Sequence, residues 1–457
     1  LFKFASSVYT FPMRTRLLMD KVQLFAYFIV LPLLGSAVLS QPFAYASGIP
    51  VPYLDALFTA MSAVCVTGLS TVSMDVYSPA GFIVIMVLIE MGGLGIVTFI
   101  SFYLAAPKRK LSLVNRTVVR DFFSEDVEIE PRRILLSIIG TTFIVELIGA
   151  VLLYGGFRGA GSEQPVLDAV FHSVSAFCNA GFSTRSDNLA GFVNDPRLPL
   201  AVSLLIIAGG LGFSVLTDVR KLFTKKMHRL SYHSQIVLIA SGTLIFGAAA
   251  VFWLLERNRA FAGLPPLRQI SAAFFQAVTP RTAGFETVSQ ANLTPASNLF
   301  TAVLMFIGGS PGSIAGGVKT TTFLVVFLYA IRGNTEQNGF NMRRKCIDTA
   351  TVEKAFSIVA KSLMICMSAC FLLLISERES LMAGTMRIFD IFFETISAFA
   401  TVGLSQGATA SLSAAGKAIV IATMFIGRTG IFAMALGFAH SEKERYFEYP
   451  SASILIG

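Results

Sequence analysis

The sequence predicts an all-α polytopic membrane protein in which four tandem span–pore helix–loop–span repeats are arranged pseudo-fourfold around one central pore. Three observations predict it. The 457 residues are 54% hydrophobic and only 14% charged, with 41 phenylalanines, a balance outside that of soluble domains. Apolar runs of about 20 residues, the length that crosses the hydrocarbon layer, recur along the chain. Between them, a short glycine-containing segment appears four times in register.

The apolar runs read as spans over about 22–40, 79–104, 134–154, 199–217, 235–255, 297–331 with an interruption, 355–376 and 416–439. The first is expected to remain as a span, because Lys3, Arg14, Arg16 and Lys21 before it are not followed by a small-residue cleavage site. Loop charge sets the orientation. Lys and Arg number four before the first span, seven in 107–133, five in 218–233, five in 332–354 and two in the tail. The loops within 40–80, 154–198, 256–296 and 376–417 together carry ten basic and twelve acidic residues. This alternation puts both termini in the cytoplasm. The net charge of +9 therefore reads as topology, with lipid headgroups or an anionic partner as the second reading, and not as a nucleic-acid surface. Five cysteines and four histidines show no pairing or ligand spacing, so neither a disulfide framework nor a structural zinc is expected.

The organisation that follows is a cytoplasmic N-terminus (1–21), repeat 1 (22–106), a cytoplasmic linker (107–133), repeat 2 (134–219), a linker (220–234), repeat 3 (235–332), a linker (333–354), repeat 4 (355–439) and a cytoplasmic tail (440–457). Repeat 3 contains an intramembrane loop at 308–317.

The repeated segments end at Gly68, Gly181, Gly284 and Gly403, separated by 113, 103 and 119 residues. Phe58, Phe171, Phe274 and Phe393 each lie ten positions earlier, and Ser-Ala occupies the sixth and fifth positions before the glycine in all but the third, which has Val278-Thr279. A second motif follows: Gly92-Gly93-Leu94-Gly95, Gly209-Gly210-Leu211-Gly212, Gly308-Gly309-Ser310-Pro311-Gly312 and Gly427-Arg428-Thr429-Gly430. Its second residue lies 25, 29, 25 and 25 positions beyond the four glycines. The apolar stretch before each glycine is too short to cross a bilayer and fits a re-entrant helix. Non-helical backbone at membrane depth is tolerated where it lines a cavity or is buried in protein, so the four loops should converge on one aqueous path. The second motif reads as close packing of a span against a pore helix.

The loops Val66-Thr67-Gly68, Asn179-Ala180-Gly181, Thr282-Ala283-Gly284 and Thr401-Val402-Gly403 resemble the Thr-Val-Gly of potassium-channel filters. Such a filter replaces water ligands with backbone carbonyls, and glycine allows the dihedrals that aim them inward. Small or apolar side chains there favour selection of potassium by carbonyls, and the C-terminal ends of the pore helices favour a cation.

On these motifs the chain resembles the Trk/Ktr/HKT superfamily of potassium transporters over nearly its whole length, and within it the bacterial KtrB-type membrane subunits. The short segment before the first span and the closing Tyr449-Pro450 region carry the latter likeness. The resemblance implies a homodimer with one pore per protomer, a cytoplasmic KtrA-type nucleotide-binding regulatory ring, and stimulation by sodium. The alternative is a sodium-selective or sodium-coupled transporter of the same superfamily. Sodium-preferring members carry serine at the first filter position, where this chain has Gly68.

In the third repeat, Gly308, Gly309, Ser310, Pro311, Gly312, Ser313, Gly316, Gly317 and Lys319 fall within twelve residues, which a regular helix cannot hold. The resemblance assigns this loop to gating; a kink that eases packing is the plainer reading. Gly-x-x-x-x-Gly-Lys-Thr is not satisfied, which excludes a phosphate loop. Arg428 replaces glycine only in the fourth copy of the second motif. An arginine in mid-span should face water, a carboxylate or carbonyls. The expectation is a barrier formed by Arg428 with the loop, against a structural ion pair to Glu90 or Glu146 or snorkelling. Glu286 reads as an outer-mouth charge or a solvated loop residue, and His172 as a packed, hydrogen-bonded residue. Arg116, Arg120, Arg343, Arg344 and Lys345 form a candidate docking surface for an acidic regulator. No catalytic dyad faces across spans, so an enzyme is not expected.

Overall fold

The computed structural model describes residues 13–46, 51–105, 131–225, 227–332, 339–343 and 345–438. Its helices are α1 (Met13–Leu39), α2 (Tyr53–Val64), α3 (Pro79–Ala105), α4 (Pro131–Gly159), α5 (Pro165–Phe177), α6 (Arg197–Leu211), α7 (Phe213–Phe223) and α8 (Tyr232–Glu256). They continue with α9 (Pro266–Val278), α10 (Pro295–Phe306), α11 (Thr320–Arg332), α12 (Thr349–Ser376), α13 (Arg378–Met382), α14 (Ile388–Ala400) and α15 (Ala414–Phe438). Proline opens α3, α4, α5, α9 and α10, where its missing N–H costs no intrahelical bond. Ser231 and Thr294 cap α8 and α10, accepting from the N–H of Ser234 and Ser297.

The side chains are arranged as lipid would require. Leu147, Val151, Phe246, Met364 and Phe371 are all more than 60% exposed, while Thr59, Ser173, Ser175, Ser203, Ser241 and Ser362 are buried. Large apolar groups outside and small polar groups between helices is the inverse of a soluble core. Among the described residues, Leu136–Gly159, Tyr232–Glu256 and Thr349–Ser376 are long and apolar enough to cross a bilayer.

The four short helices α2, α5, α9 and α14 have 12 or 13 residues. At 1.5 Å per residue that is about 20 Å, short of the ~30 Å hydrocarbon layer. α2 packs against α1, α3 and α15; α5 against α3, α4 and α6; α9 against α6 and α8; α14 against α10, α12 and α15. The first segment is thus joined to the fourth through α2 and α15, closing the series.

Two elements differ from the sequence expectation. The predicted straight span at 199–217 is broken at Gly212 (φ 93°), where α6 and α7 meet at 105°. A β-carbon at Gly212 would lie 2.7 Å from the Pro311 carbonyl, so the break is where the second segment yields to the third. The linker expected at 333–354 contains a hairpin, so the chain is mostly helical and not purely so: β1 (Gly339–Met342) pairs antiparallel with β2 (Lys345–Asp348). Phe340 and Met342 turn inward while Asn341 faces out. The Tyr232 hydroxyl donates to the Met342 carbonyl at 2.6 Å, and Arg332 Nη1 to the Asn341 carbonyl at 3.0 Å, fixing the hairpin to α8 and α11.

Candidate functional site

The loops after the four short helices share one backbone signature. The residue two before each glycine is left-handed: Val66 (φ 57°), Asn179 (57°), Thr282 (67°) and Thr401 (52°). So are Gly68 (96°), Gly181 (71°), Gly284 (73°) and Gly403 (94°), with a residue of ordinary hand between. In an extended chain of one hand, successive carbonyls alternate sides; alternating the hand brings them to the same side. Three of the non-glycine residues are β-branched, and each such conformation costs about 1–3 kcal/mol.

Hydroxyls of the preceding helix hold that strain. Ser62 Oγ accepts from the Gly68 N–H at 3.0 Å and Ser397 Oγ from the Gly403 N–H at 3.1 Å. Ser175 Oγ instead donates to the Phe182 carbonyl at 2.8 Å, and Thr279 Oγ1 to the Phe285 carbonyl at 2.6 Å. The recurrent Ser, replaced by Thr279 one position later in the third segment, is therefore a loop anchor.

The loops meet in a closed ring. A β-carbon at Gly68 would lie 3.1 Å from Gly181 Cα, at Gly181 2.9 Å from Gly284 Cα, at Gly284 3.2 Å from Gly403 Cα, and at Gly403 3.1 Å from Gly68 Cα. Only glycine lets the four strands approach this closely. Behind the ring, Gly92, Gly209 and Gly427 pack on the carbonyls of Val64, Phe177 and Phe399 at the ends of α2, α5 and α14. Gly308 breaks that pattern and packs on Gly316 and Gly317 of its own loop.

The loop between α10 and α11 is braced on itself by the N–H groups of Gly308, Val318 and Thr320, which donate to Val318 (2.9 Å), Phe306 (3.2 Å) and Gly309 (3.0 Å). It reaches the other three segments. Ser310 N–H donates to the Gly210 carbonyl at 3.0 Å, and Phe213 N–H to the Gly312 carbonyl at 3.1 Å. Ile314 Cγ2 would lie 3.3 Å from a β-carbon on Gly93, and Gly316 packs on Ala400 and Thr401 at the foot of the fourth loop. Lys319, half-buried, donates to the Ala315 carbonyl at 2.6 Å. Arg428 is 5% exposed; its Nη1 donates to the Ile314 carbonyl and its Nη2 to the Gly92 carbonyl at 2.9 Å. Of the expected partners it takes carbonyls, not Glu90 or Glu146.

The TrkH family profile, described as a cation transport protein, matches residues 13–449. The chain belongs to the TrkH cation transport family. It is a multi-pass membrane transporter of ions, not an enzyme. It is 38% identical over 431 residues to Ktr system potassium uptake protein B of Vibrio alginolyticus, covering 93% of this chain and 92% of that one. It is 35% identical to the potassium/sodium uptake protein NtpJ of Enterococcus hirae, covering 97% and 99%. The crystal structure of the potassium transporter TrkH from Vibrio parahaemolyticus shares the fold with a TM-score of 0.73 at 19% identity, over 95% of this chain and 86% of that chain.

In this TrkH-family chain, the twelve loop residues read from the sequence come together in the ring, and the broken segment with Arg428 lies against it. His172 is buried, its Nδ1–H donating to the Asp168 carbonyl at 2.7 Å, with Nε2 2.9 Å from Ser183 Oγ. Glu286 lies against the loop that carries Asn188, its N–H donating to Asn188 Oδ1 at 3.2 Å. In that loop Arg185 bonds Asp187 (Nε–Oδ1 2.8 Å), which holds that carboxyl below its usual range. Arg343 and Lys345 flank the hairpin turn; Arg116, Arg120 and Arg344 lie outside the described residues, as do 107–130 and the tail 440–457.

Sequence reasoning missed two features. Asp55, Asp168 and Asp390 lie thirteen residues before their glycines, with Ser271 in the third copy. Asp55 and Asp168 accept from Thr71 and Thr184 at 2.6 Å, tying each short helix to the strand leaving its loop. Arg281, buried in the third loop, donates through Nη2 to Ser241 Oγ at 3.0 Å and Thr320 Oγ1 at 3.4 Å. The aspartate spacing was a readable signal; Arg281 stood where the other copies have Cys65, Cys178 and Ala400.

Proposed function

We propose that the chain takes up potassium across the cell membrane through one pore, its selectivity filter formed by the carbonyls of Val66–Gly68, Asn179–Gly181, Thr282–Gly284 and Thr401–Gly403. The observation that carries this is the closed ring of four loops with alternating backbone hand. A ring of carbonyls without carboxylate side chains suits a weakly hydrated monovalent cation. The names of the relatives from Vibrio alginolyticus and Enterococcus hirae support potassium as cargo. The reading keeps the division into four units, 22–106, 134–219, 235–332 and 355–439, arranged pseudo-fourfold about the pore, with both termini cytoplasmic in the inner membrane of a bacterium.

The gate in this reading is the loop from Gly308 to Lys319 with Arg428. The loop bonds to the second and fourth segments and packs on the first beside the ring, and a guanidinium next to the path opposes cation passage until the loop moves. Regulation by a KtrA-type nucleotide-binding ring at the cytoplasmic loops, a homodimer with one pore per protomer, and stimulation by sodium complete the proposal. The second reading, sodium as a transported ion, draws on the potassium/sodium name of the Enterococcus hirae relative.

The test is rescue of a potassium-uptake-deficient bacterium on low potassium, with rubidium and sodium uptake measured in the same cells. Gly284→Ala, which would drive a β-carbon onto the Val402 carbonyl at a φ of 73°, should abolish rescue while the protein still reaches the membrane. Rescue by Gly284→Ala equal to the parent would remove the filter reading, and sodium uptake at the rubidium rate would favour the second.

A further inference from the structure

We propose a second cation site, for a soft divalent metal of the zinc and cadmium class, formed by Glu90, Glu146 and Cys178 where α3, α4 and α5 meet. The ligand atoms of the three residues all lie within 4.8 Å of one another. Cys178 Sγ is 3.4 Å from Glu90 Oε2 and 4.0 Å from Glu146 Oε1. A tetrahedral zinc with its usual sulfur and oxygen bond lengths separates its ligand atoms by about 3.4–3.6 Å, so small side-chain movements complete the site. The residues are 56 and 32 positions apart in sequence, which is why no ligand spacing announced them.

A second observation points to a ligand. Thr142 is 0% exposed and its hydroxyl has no hydrogen-bond partner. It precedes Glu146 by four residues and therefore shares its helix face, one turn away. Glu90 Oε1, also buried, has no partner either. Two carboxylates and a thiol from three helices offer three donors to one point, with the Thr142 hydroxyl one helical turn from Glu146. The thiol selects the metal class: thiolate is a poor ligand for potassium or magnesium and a good one for zinc and cadmium. With all three acids ionised the site carries three negative charges, which a divalent ion reduces to one. Arg428, bonded to the Gly92 carbonyl two residues from Glu90, offsets the remainder. Binding expels to water the Cys178 thiol proton and the proton held between the Glu90 and Glu146 carboxyls. Glu90, only half-buried, marks the entry side.

Occupation would clamp the gate. A β-carbon on Gly93 would lie 3.0 Å from Cys178 Sγ and 3.3 Å from Ile314 Cγ2, so Gly93 is packed between the site and the gating loop. Cys178 also immediately precedes Asn179 of the second filter loop. A metal that fixes α3 to α5 here therefore inhibits flux. That consequence rests on the pore reading; the binding does not.

The experiment uses the full chain, purified and reconstituted in vesicles, with Cys346→Ser as background because Cys346 is an exposed thiol. Cadmium is the probe, read as bound metal per chain and as the ultraviolet thiolate-to-cadmium band. The expected result is one cadmium per chain, a band lost in Cys178→Ser, and binding weakened about 10-fold or more in Glu90→Gln and in Thr142→Val. Rubidium uptake should fall with cadmium in the background protein and persist in Glu90→Gln. No stoichiometric binding, binding unchanged in Glu90→Gln, or a band that survives Cys178→Ser overturns the site. Binding without loss of uptake overturns the clamp. Absence of rubidium uptake before cadmium is added is instead a failure of the pore reading.

Discussion

Replacing Arg428 by methionine keeps most of the stem and removes the guanidinium. Arg428 donates to the Ile314 carbonyl of the proposed gating loop and, at 2.9 Å, to the Gly92 carbonyl of α3, from a position that is 5% exposed. Hydrogen bonds to a charged group contribute about 1.5–3 kcal/mol each. Losing the one to Ile314 weakens the hold on the loop by about 1.5–3 kcal/mol, which corresponds to about a 10- to 150-fold shift between held and released states. Rubidium efflux from vesicles containing no regulator should therefore rise by one to two orders of magnitude. The potassium-to-sodium preference should be unchanged, because the hydrogen bonds of Arg428 go to Ile314 and Gly92 and not to the twelve residues of the proposed filter. Arg428→Lys, with one ammonium able to reach one carbonyl, should fall between. A monodisperse Arg428→Met protein that melts near the parent temperature and shows parent efflux would refute the barrier role. A large drop in melting temperature with unchanged flux would make the residue structural.

Three further outcomes are expected. Ser397→Ala strands the half-buried Gly403 N–H, a cost of about 1–3 kcal/mol, whereas Thr279→Val only removes a donor from the Phe285 carbonyl, about 0.5–1.5 kcal/mol; the rubidium-to-sodium uptake ratio should fall further in the first, and an equal fall would contradict the two anchoring modes. Lys417 Nζ lies 2.5 Å from Asp55 Oδ1, with both side chains largely buried, so Lys417→Met should destabilise by about 3–5 kcal/mol while Lys417→Met with Asp55→Asn recovers most of it; a thermal-denaturation double-mutant cycle without coupling would exclude the clasp between α15 and α2. Gly212→Ala adds a β-carbon 2.7 Å from the Pro311 carbonyl at a φ of 93° and should raise efflux by pushing the loop away; reduced efflux would mean that α6 and α7 must bend further for opening.

The parts of the fold written in repeated residue types were legible. Four glycines with a phenylalanine ten positions earlier located the loops, because a close approach of backbones admits no other residue. Proline and glycine density marked the break after Phe306 for a similar reason. The break at Gly212 was hidden, since Gly209-Gly210-Leu211-Gly212 reads like Gly92-Gly93-Leu94-Gly95, and α3 runs through that motif unbroken. What differs is the neighbour: the third segment's loop presses its Pro311 and Gly312 carbonyls on Gly212, a contact that local sequence does not carry. The left-handed residues before each loop glycine were equally hidden. Asn179 suits that conformation, but Val66, Thr282 and Thr401 oppose it, and only the surrounding bonds impose it. Arg428 announced a buried charge without naming its partners, because carbonyls leave no mark in the sequence. Glu90, Glu146 and Cys178 were separate residues until three helices brought them together.

The asymmetry of the ring has a consistent sense. In the first and fourth loops, glycine φ is 96° and 94°, leucine follows the glycine, and the serine hydroxyl accepts from the glycine N–H. In the second and third, φ is 71° and 73°, phenylalanine follows, and the hydroxyl donates to that phenylalanine's carbonyl. The ring is thus built two and two. The same division runs through the helices behind it: α3 and α15, which follow the first and fourth loops, are continuous, whereas the corresponding helices of the second and third are broken at Gly212 and between Phe306 and Thr320. The continuous pair is tied across its seam by Lys417 and Asp55. Both breaks, by contrast, meet through two hydrogen bonds, from Phe213 N–H to the Gly312 carbonyl and from Ser310 N–H to the Gly210 carbonyl. A loop that must move needs backbone free of the helical ladder, and only the second and third segments provide it. In the proposed gate Arg428 reaches from the continuous fourth segment to Ile314 of the broken third. On that reading, release at this one guanidinium would free the broken half while the continuous half keeps the ring closed, so the proposed gate could open without dismantling the proposed filter that adjoins it.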